Sequence, residues 1–141
     1  MSKTHICEKG CCTLNIEPYN ASNNHYDKFK RRRRKAGVFV YDPETEKVLL
    51  VQSRGNFWGP PKGTLNINET ETNCAVREMK EETGLEISRD SFTKAAKIQN
   101  RAIYFYMEMP ECEVCVQNHI IGNDANGIGW VKPECLEKFI Q

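Results

Sequence analysis

No stretch of this 141-residue chain approaches the roughly 18 consecutive apolar residues that a membrane-spanning helix needs. Its opening residues, MSKTHICEKGCC, lack an apolar segment, so no secretory signal is expected. Neither sign of charge dominates: 20 Lys and Arg against 19 Asp and Glu leave a net charge of +1, and with 39% hydrophobic residues the chain reads as soluble and globular. There is no internal repeat. An even set of cysteines is also missing: seven are present, and an odd number without a signal points to a reducing interior, cytoplasmic or nuclear, rather than a disulfide scaffold. The sequon at Asn20 then marks only a polar loop.

What is present suits one domain with a substantial core. The first 29 residues contain cysteines and an Asn-rich stretch, with one short strand expected at Thr13–Ile16. A basic run follows at 28–35 (KFKRRRRK). Strands are expected at 36–41 (AGVFVY) and 47–52 (KVLLVQ), separated by an Asp42-Pro43-Glu44 turn. A Gly/Pro loop at 55–63 leads into a stretch without Pro or Gly from Glu69 to Thr83, closed by Gly84; this is the pattern of a helix with a glycine C-cap. Beyond it a short strand is expected, then a hairpin at 94–99 and 102–107, a long loop at 109–127, and a last strand at 128–131. A C-terminal helix should begin at Pro133.

The helix carries the chemistry. At about 100° per residue, Glu78, Glu81 and Glu82 fall within roughly 100° of one another, beside an apolar stripe of Ala75, Val76 and Met79. Like charges at this spacing cost a few tenths of a kcal/mol per pair. Such a strip is best tolerated with a hard divalent cation on it, and all-oxygen ligands suit Mg2+ or Mn2+. Taken alone, a solvated acidic face would be the plainer reading. The wider pattern argues otherwise: Gly63, Glu69, Arg77-Glu78, Glu81-Glu82 and Gly84 stand at fixed offsets in GTLNINETETNCAVREMKEETGL. With residue types at roughly 5–7% each, seven such matches arise by chance on the order of once in 10^8 starting points.

These residues fill every position of the Nudix box, G-x5-E-x7-R-E-U-x-E-E-x-G-U, so the chain resembles a Nudix hydrolase. The resemblance implies an α/β fold, an α/β/α sandwich around a mixed central sheet, with residues 36–141 as the Nudix domain and 1–35 as an arm packed on it or part of it. It implies metal-dependent cleavage of a P–O–P bridge. Glu78, Glu81 and Glu82 would hold Mg2+ or Mn2+ with the carbonyl of Gly63, one glutamate or a bound water's partner would be general base, Arg77 would orient the glutamates, and Glu69 would be structural. Asp124, six residues before Trp130, would be an acidic metal or water ligand; it reads equally as part of an Asn-Asp-Ala-Asn-Gly turn.

The flanks bear on the substrate. Trp58-Gly-Pro-Pro-Lys-Gly63 is similar to the WGFPKG stretch of the mRNA-decapping branch, with Pro60 in place of Phe. Residues 47–52 and 73–78 are similar to that branch as well. This resemblance covers about 36–88 and leaves no room for the helical regulatory domain of eukaryotic decapping enzymes. It implies capped RNA as substrate, with Lys62, Trp58 and Arg54 as contacts. Diphosphoinositol or dinucleoside polyphosphates are the alternative, and a non-catalytic RNA-binding module is the alternative of another class. Arg31, Arg32, Arg33 and Arg34 would bind polyphosphate or an RNA backbone, or else form a solvated linker or localisation signal.

Cys7, Cys11 and Cys12 with Cys112 and Cys115 offer a tetrahedral structural Zn2+ site joining the arm to the long loop, with His5 and His119 as spare ligands. Cys74 and Cys135 read as ordinary buried small residues.

Overall fold

The computed structural model describes residues 3–7, 9–18, 33–53, 57–117 and 125–136. Among these residues, nine strands form one mixed sheet: β1 (Lys3–Ile6), β2 (Thr13–Ile16), β3 (Lys35–Asp42), β4 (Lys47–Ser53), β5 (Phe57–Gly59), β6 (Lys62–Thr64), β7 (Lys94–Ile98), β8 (Ala102–Glu108) and β9 (Ala125–Val131). The main path runs β1-β2-β9-β4-β3-β8-β7, with β5 paired to β4 and β6 to β3. Helix α1 (Glu71–Thr83) and a short α2 (Pro133–Leu136) complete the α/β fold. β3 and β8 are parallel; the other pairings among the described residues are antiparallel.

Strand β3 positions the site. Its last residues pair with β4 (Tyr41 with Val48, Asp42 with Lys47), and its first with β6 (Lys35 with Thr64, Ala36 with Gly63, Gly37 with Lys62). One edge of β3 is thus shared between two partners. The Val38 N–H donates to the Pro61 carbonyl at 3.0 Å and seals the junction. The chain from β6 therefore enters α1 directly over the sheet.

Side chains alternate along the strands, so the sheet has two apolar faces. Val38, Val40, Leu49, Val51, Ile128 and Trp130 meet Cys74, Ala75 and Met79 of α1 on one. Val48, Leu50 and Val131 meet Cys7, Cys12, Leu14 and Cys135 on the other. Leu49, Met79 and Ile128 are fully buried; each such side chain contributes about 1.5–3 kcal/mol relative to exposure. At the edge between β3 and β4, the buried Asp42 carboxylate accepts from the backbone of Glu44 and Glu111 and from the Thr45 hydroxyl, at 2.8–3.0 Å. Those donors hold its pKa below the usual carboxylate range, the Glu111 N–H foremost.

Four expectations change. The helix begins at Glu71, not Glu69, because Thr70 caps it: its hydroxyl accepts from the Asn73 N–H at 3.1 Å. The stretch after Gly84 is not a strand but ends in a 3-10 turn at Arg89–Ser91, where the Ser88 hydroxyl captures the Asp90 N–H. The Gly/Pro loop contains two short strands, β5 and β6. Strand β1 precedes the one expected near the N-terminus.

Candidate active site

Helix α1 ends at Gly84, whose φ of 79° lies in the left-handed region that an L side chain resists, and its N–H returns to the Lys80 carbonyl at 2.9 Å. Cys74, Ala75, Met79 and Thr83 anchor the helix in the sheet. Arg77 lies beside that buried face. Its guanidinium grips Glu69 through two parallel bonds of 2.8 and 2.9 Å. Its Nη1 donates to Glu78 at 2.7 Å and to Glu81 at 2.8 Å, and its Nη2 to the Thr64 carbonyl at 3.0 Å. One arginine therefore joins the approach to the helix, the end of β6 and two carboxylates of the expected strip. The bonds to Glu69 come first among the causes that drive the Arg77 pKa further up, and Arg77 in turn holds Glu69 below the usual carboxylate range.

The third carboxylate, Glu82, is buried rather than exposed, and its Oε1 accepts from the Lys62 N–H at 2.9 Å. Gly63 explains the close approach of β6 to α1: a Cβ there would fall on the Glu78 carboxylate. The Cys74 thiol donates to the Gly63 carbonyl at 3.6 Å, and burial pushes its pKa up to about 12, so it stays neutral. Gly63 thus lies against Glu78, Arg77 links Glu78 to Glu81, and Glu82 meets the Lys62 N–H, which sets the three glutamates along the junction of α1 with β6. A donor set of three carboxylates and a carbonyl matches the all-oxygen preference of Mg2+ or Mn2+.

Tyr104 on β8 was not anticipated. Burial raises its hydroxyl pKa first, and the charge of Glu82 adds to the shift. Its only signal in the sequence was an aromatic position in a strand. Trp58 is half-buried against the second apolar cluster, beside Gly127. Arg34 pairs with Glu71 at 3.4 Å in the first turn of α1, so the end of the basic run adjoins this helix; Arg33 is half-buried. Arg31, Arg32, Arg54, His119 and Asp124 lie outside the described residues.

The sequence-based zinc set needs correction. Cys112 and Cys115 do not join Cys7, Cys11 and Cys12; Cys135 does. The sheet separates them. The Cys112 carbonyl accepts from the Trp130 indole at 2.9 Å, and Val114 and Val116 pack on the α1 side, while the other cysteines line the opposite face. Both Cys112 and Cys115 are exposed.

The NUDIX domain family matches residues 31–139. The chain belongs to the Nudix family. It is 37% identical over 138 residues to the putative hydrolase 111R of Invertebrate iridescent virus 3, covering 94% of this chain and 79% of that one. It is 45% identical to the m7GpppN-mRNA hydrolase dcap-2 of Caenorhabditis elegans, but over 53 residues, which are 36% of this chain and 7% of the relative. Among solved structures, the Escherichia coli dihydroneopterin triphosphate pyrophosphohydrolase matches with a TM-score of 0.57 and 19% identity, over 77% of this chain and 88% of that one. The likeness is one of fold. As a Nudix hydrolase the chain is an enzyme of phosphoanhydride bonds. Among the described residues no helix is long and apolar enough to cross a membrane.

The Arg77–Glu69 pair makes a pH prediction. Because the folded pKa of Glu69 is depressed, its stabilisation is present above the unfolded value of about 4.3 and lost as pH falls through the folded value. Glu69→Gln should therefore lower the melting temperature at pH 7 and narrow its gap to wild type as the pH drops below about 4. A constant gap across that range in pH-resolved thermal melts would contradict the assignment.

Proposed function

We propose that this Nudix hydrolase cleaves the 5′ cap of RNA at a P–O–P bridge. The observation that carries the chemical part is the junction of α1 with β6, where Glu78 lies against Gly63, Glu82 accepts from the Lys62 N–H and Arg77 fixes Glu78 and Glu81. These glutamates and the Gly63 carbonyl would hold Mg2+ or Mn2+, with Asp124 as a further candidate ligand. Bound there, the ions supply neutralisation of phosphate charge and acidification of a water.

The rest falls to the protein. Arg77 holds Glu78 and Glu81 in place through its Nη1. A glutamate of the group takes the proton of the attacking water. Lys62, whose backbone is fixed by Glu82, supplies positive charge toward the substrate phosphates, as would Arg54. Support for the cap comes from the sequence: the decapping-like stretch includes both the helix and the Trp58–Gly63 approach, and Arg34 leaves the basic run beside α1. An RNA continuing from its cap would run along Arg31, Arg32, Arg33 and Arg34.

A turnover panel of capped RNA, free cap dinucleotide, dinucleoside polyphosphates and diphosphoinositols in Mn2+ tests this reading. Capped RNA should be the best substrate. Replacing Arg31 to Arg34 together with Gln should weaken capped RNA and lower its salt slope by about 0.7 per lost phosphate contact, leaving the free dinucleotide little changed. Preference for a diphosphoinositol, with that small substrate most affected by the same change, would replace the cap by an inositol polyphosphate. RNA binding without turnover of any member would leave only a binding module.

A further inference from the structure

Away from the active site, on the sheet face opposite α1, the Sγ atoms of Cys7, Cys11, Cys12 and Cys135 all lie within 4.8 Å of one another. Cys11 stands 3.4 Å from Cys7, 3.6 Å from Cys12 and 3.7 Å from Cys135. We propose that these four cysteines form a tetrahedral structural site for Zn2+, fastening the turn of the β1–β2 hairpin to α2.

The geometry suits the ion. With Zn–S bonds of about 2.3 Å, sulfurs at the corners of a tetrahedron stand about 3.8 Å apart. The observed separations lie close to this and far from the roughly 2.05 Å of a disulfide. The backbone around the sulfurs is held. The Cys7 N–H donates to the Cys12 carbonyl at 3.0 Å, the Gly10 N–H to the Cys7 carbonyl at 2.9 Å, and the Cys135 N–H to the Lys132 carbonyl at 2.9 Å. The Lys132 N–H donates to the Cys12 sulfur at 3.2 Å. Such donors are the outer shell that orients metal ligands.

Cys7, Cys12 and Cys135 are buried while Cys11 is partly exposed, which gives an ion a way in. As each Sγ–Zn bond forms, the thiol releases its proton to solvent, and no electron is transferred. A core needing only small apolar residues here would have no use for four sulfurs in mutual contact. The site lies against Val48, Leu50 and Val131, so its role is to hold the hairpin, independent of the carboxylate group.

The test uses the full chain, reduced, stripped of metal and titrated with Co2+ and then Zn2+. One equivalent of Co2+ should give intense sulfur-to-cobalt charge-transfer absorption, which carboxylates cannot produce, and Zn2+ should displace it. Zinc should raise the melting temperature by several degrees. Cys135→Ser should abolish the four-sulfur spectrum; Cys112→Ser and Cys115→Ser should retain it. Because a Cys135 variant can misfold, alkylation mapping on the unaltered chain gives a second measurement. Zn2+ should protect Cys7, Cys11, Cys12 and Cys135 and leave Cys112 and Cys115 reactive. Absence of the charge-transfer band, equal alkylation with and without Zn2+, or a spectrum that survives Cys135→Ser would overturn the proposal.

Discussion

Glu81→Gln and Glu82→Gln should each lower kcat by about 10^2 to 10^4 at saturating Mg2+ or Mn2+, the range for loss of a general base or a metal-binding charge. The fold should survive both. Gln keeps an oxygen where Glu82 accepts from the Lys62 N–H, and at position 81 the change relieves repulsion with Glu78 while weakening one contact of Arg77. Paired measurements of turnover and thermal melting separate catalysis from folding. Wild-type turnover by both variants would remove these carboxylates from the mechanism.

Gly63→Ala is the second large effect. The added methyl group lands on the Glu78 carboxylate, so either Glu78 or β6 must move. A displacement of about 1 Å at a reacting group can cost on the order of 10^2 in rate. Activity should fall by at least that factor, with the loss in kcat rather than in substrate affinity. Gly59→Ala is the control for inserting a methyl group in the same loop, since its Cβ would meet nothing within 4 Å. Equal activity of the two variants would show that the contact between β6 and Glu78 does not set the geometry of the site.

The two predictions draw on different kinds of information. The glutamates were legible in the chain because their spacing is local: one helix puts them together, whatever it packs on. The burial of Glu82 was not legible, since it depends on β6 crossing from the loop to reach it. The same division runs through the fold. Strands β3, β4 and β8 announce themselves by apolar runs between turn residues, and the exposed β7 was legible only as the first arm of a hairpin with β8. Strand β1, KTHI, carries no apolar alternation because all four residues are exposed; its pairing with β2 alone defines it. β5 and β6 hide among Gly and Pro for a similar reason, being strands only through β4 and β3. The short strand expected after α1 is absent, and the backbone there runs into a 3-10 turn capped by Ser88.

Cysteine spacing misled in an instructive way. Cys112-x2-Cys115 has the form of a ligand pair, and Cys135 has no partner near it in the chain. Only the sheet decides which of them can reach the N-terminal cysteines. It puts Cys135 at the Sγ of Cys11 across 124 positions and leaves the CxxC pair on the other side.

The hairpin that those cysteines border has a colloidal consequence. All seven residues of β9 are buried, and β2 lies along one of its sides. Peeled of β1 and β2, β9 would present a long apolar edge with its backbone donors and acceptors open, a template for strand addition by another molecule. In the intact protein the border is β1 instead: four residues long, fully exposed, and carrying Lys3 and His5. Such a border is short and polar enough to discourage stacking. Loosening of the hairpin would therefore show itself first as turbidity and self-association in solution, while the carboxylate group on the far face could still turn over substrate.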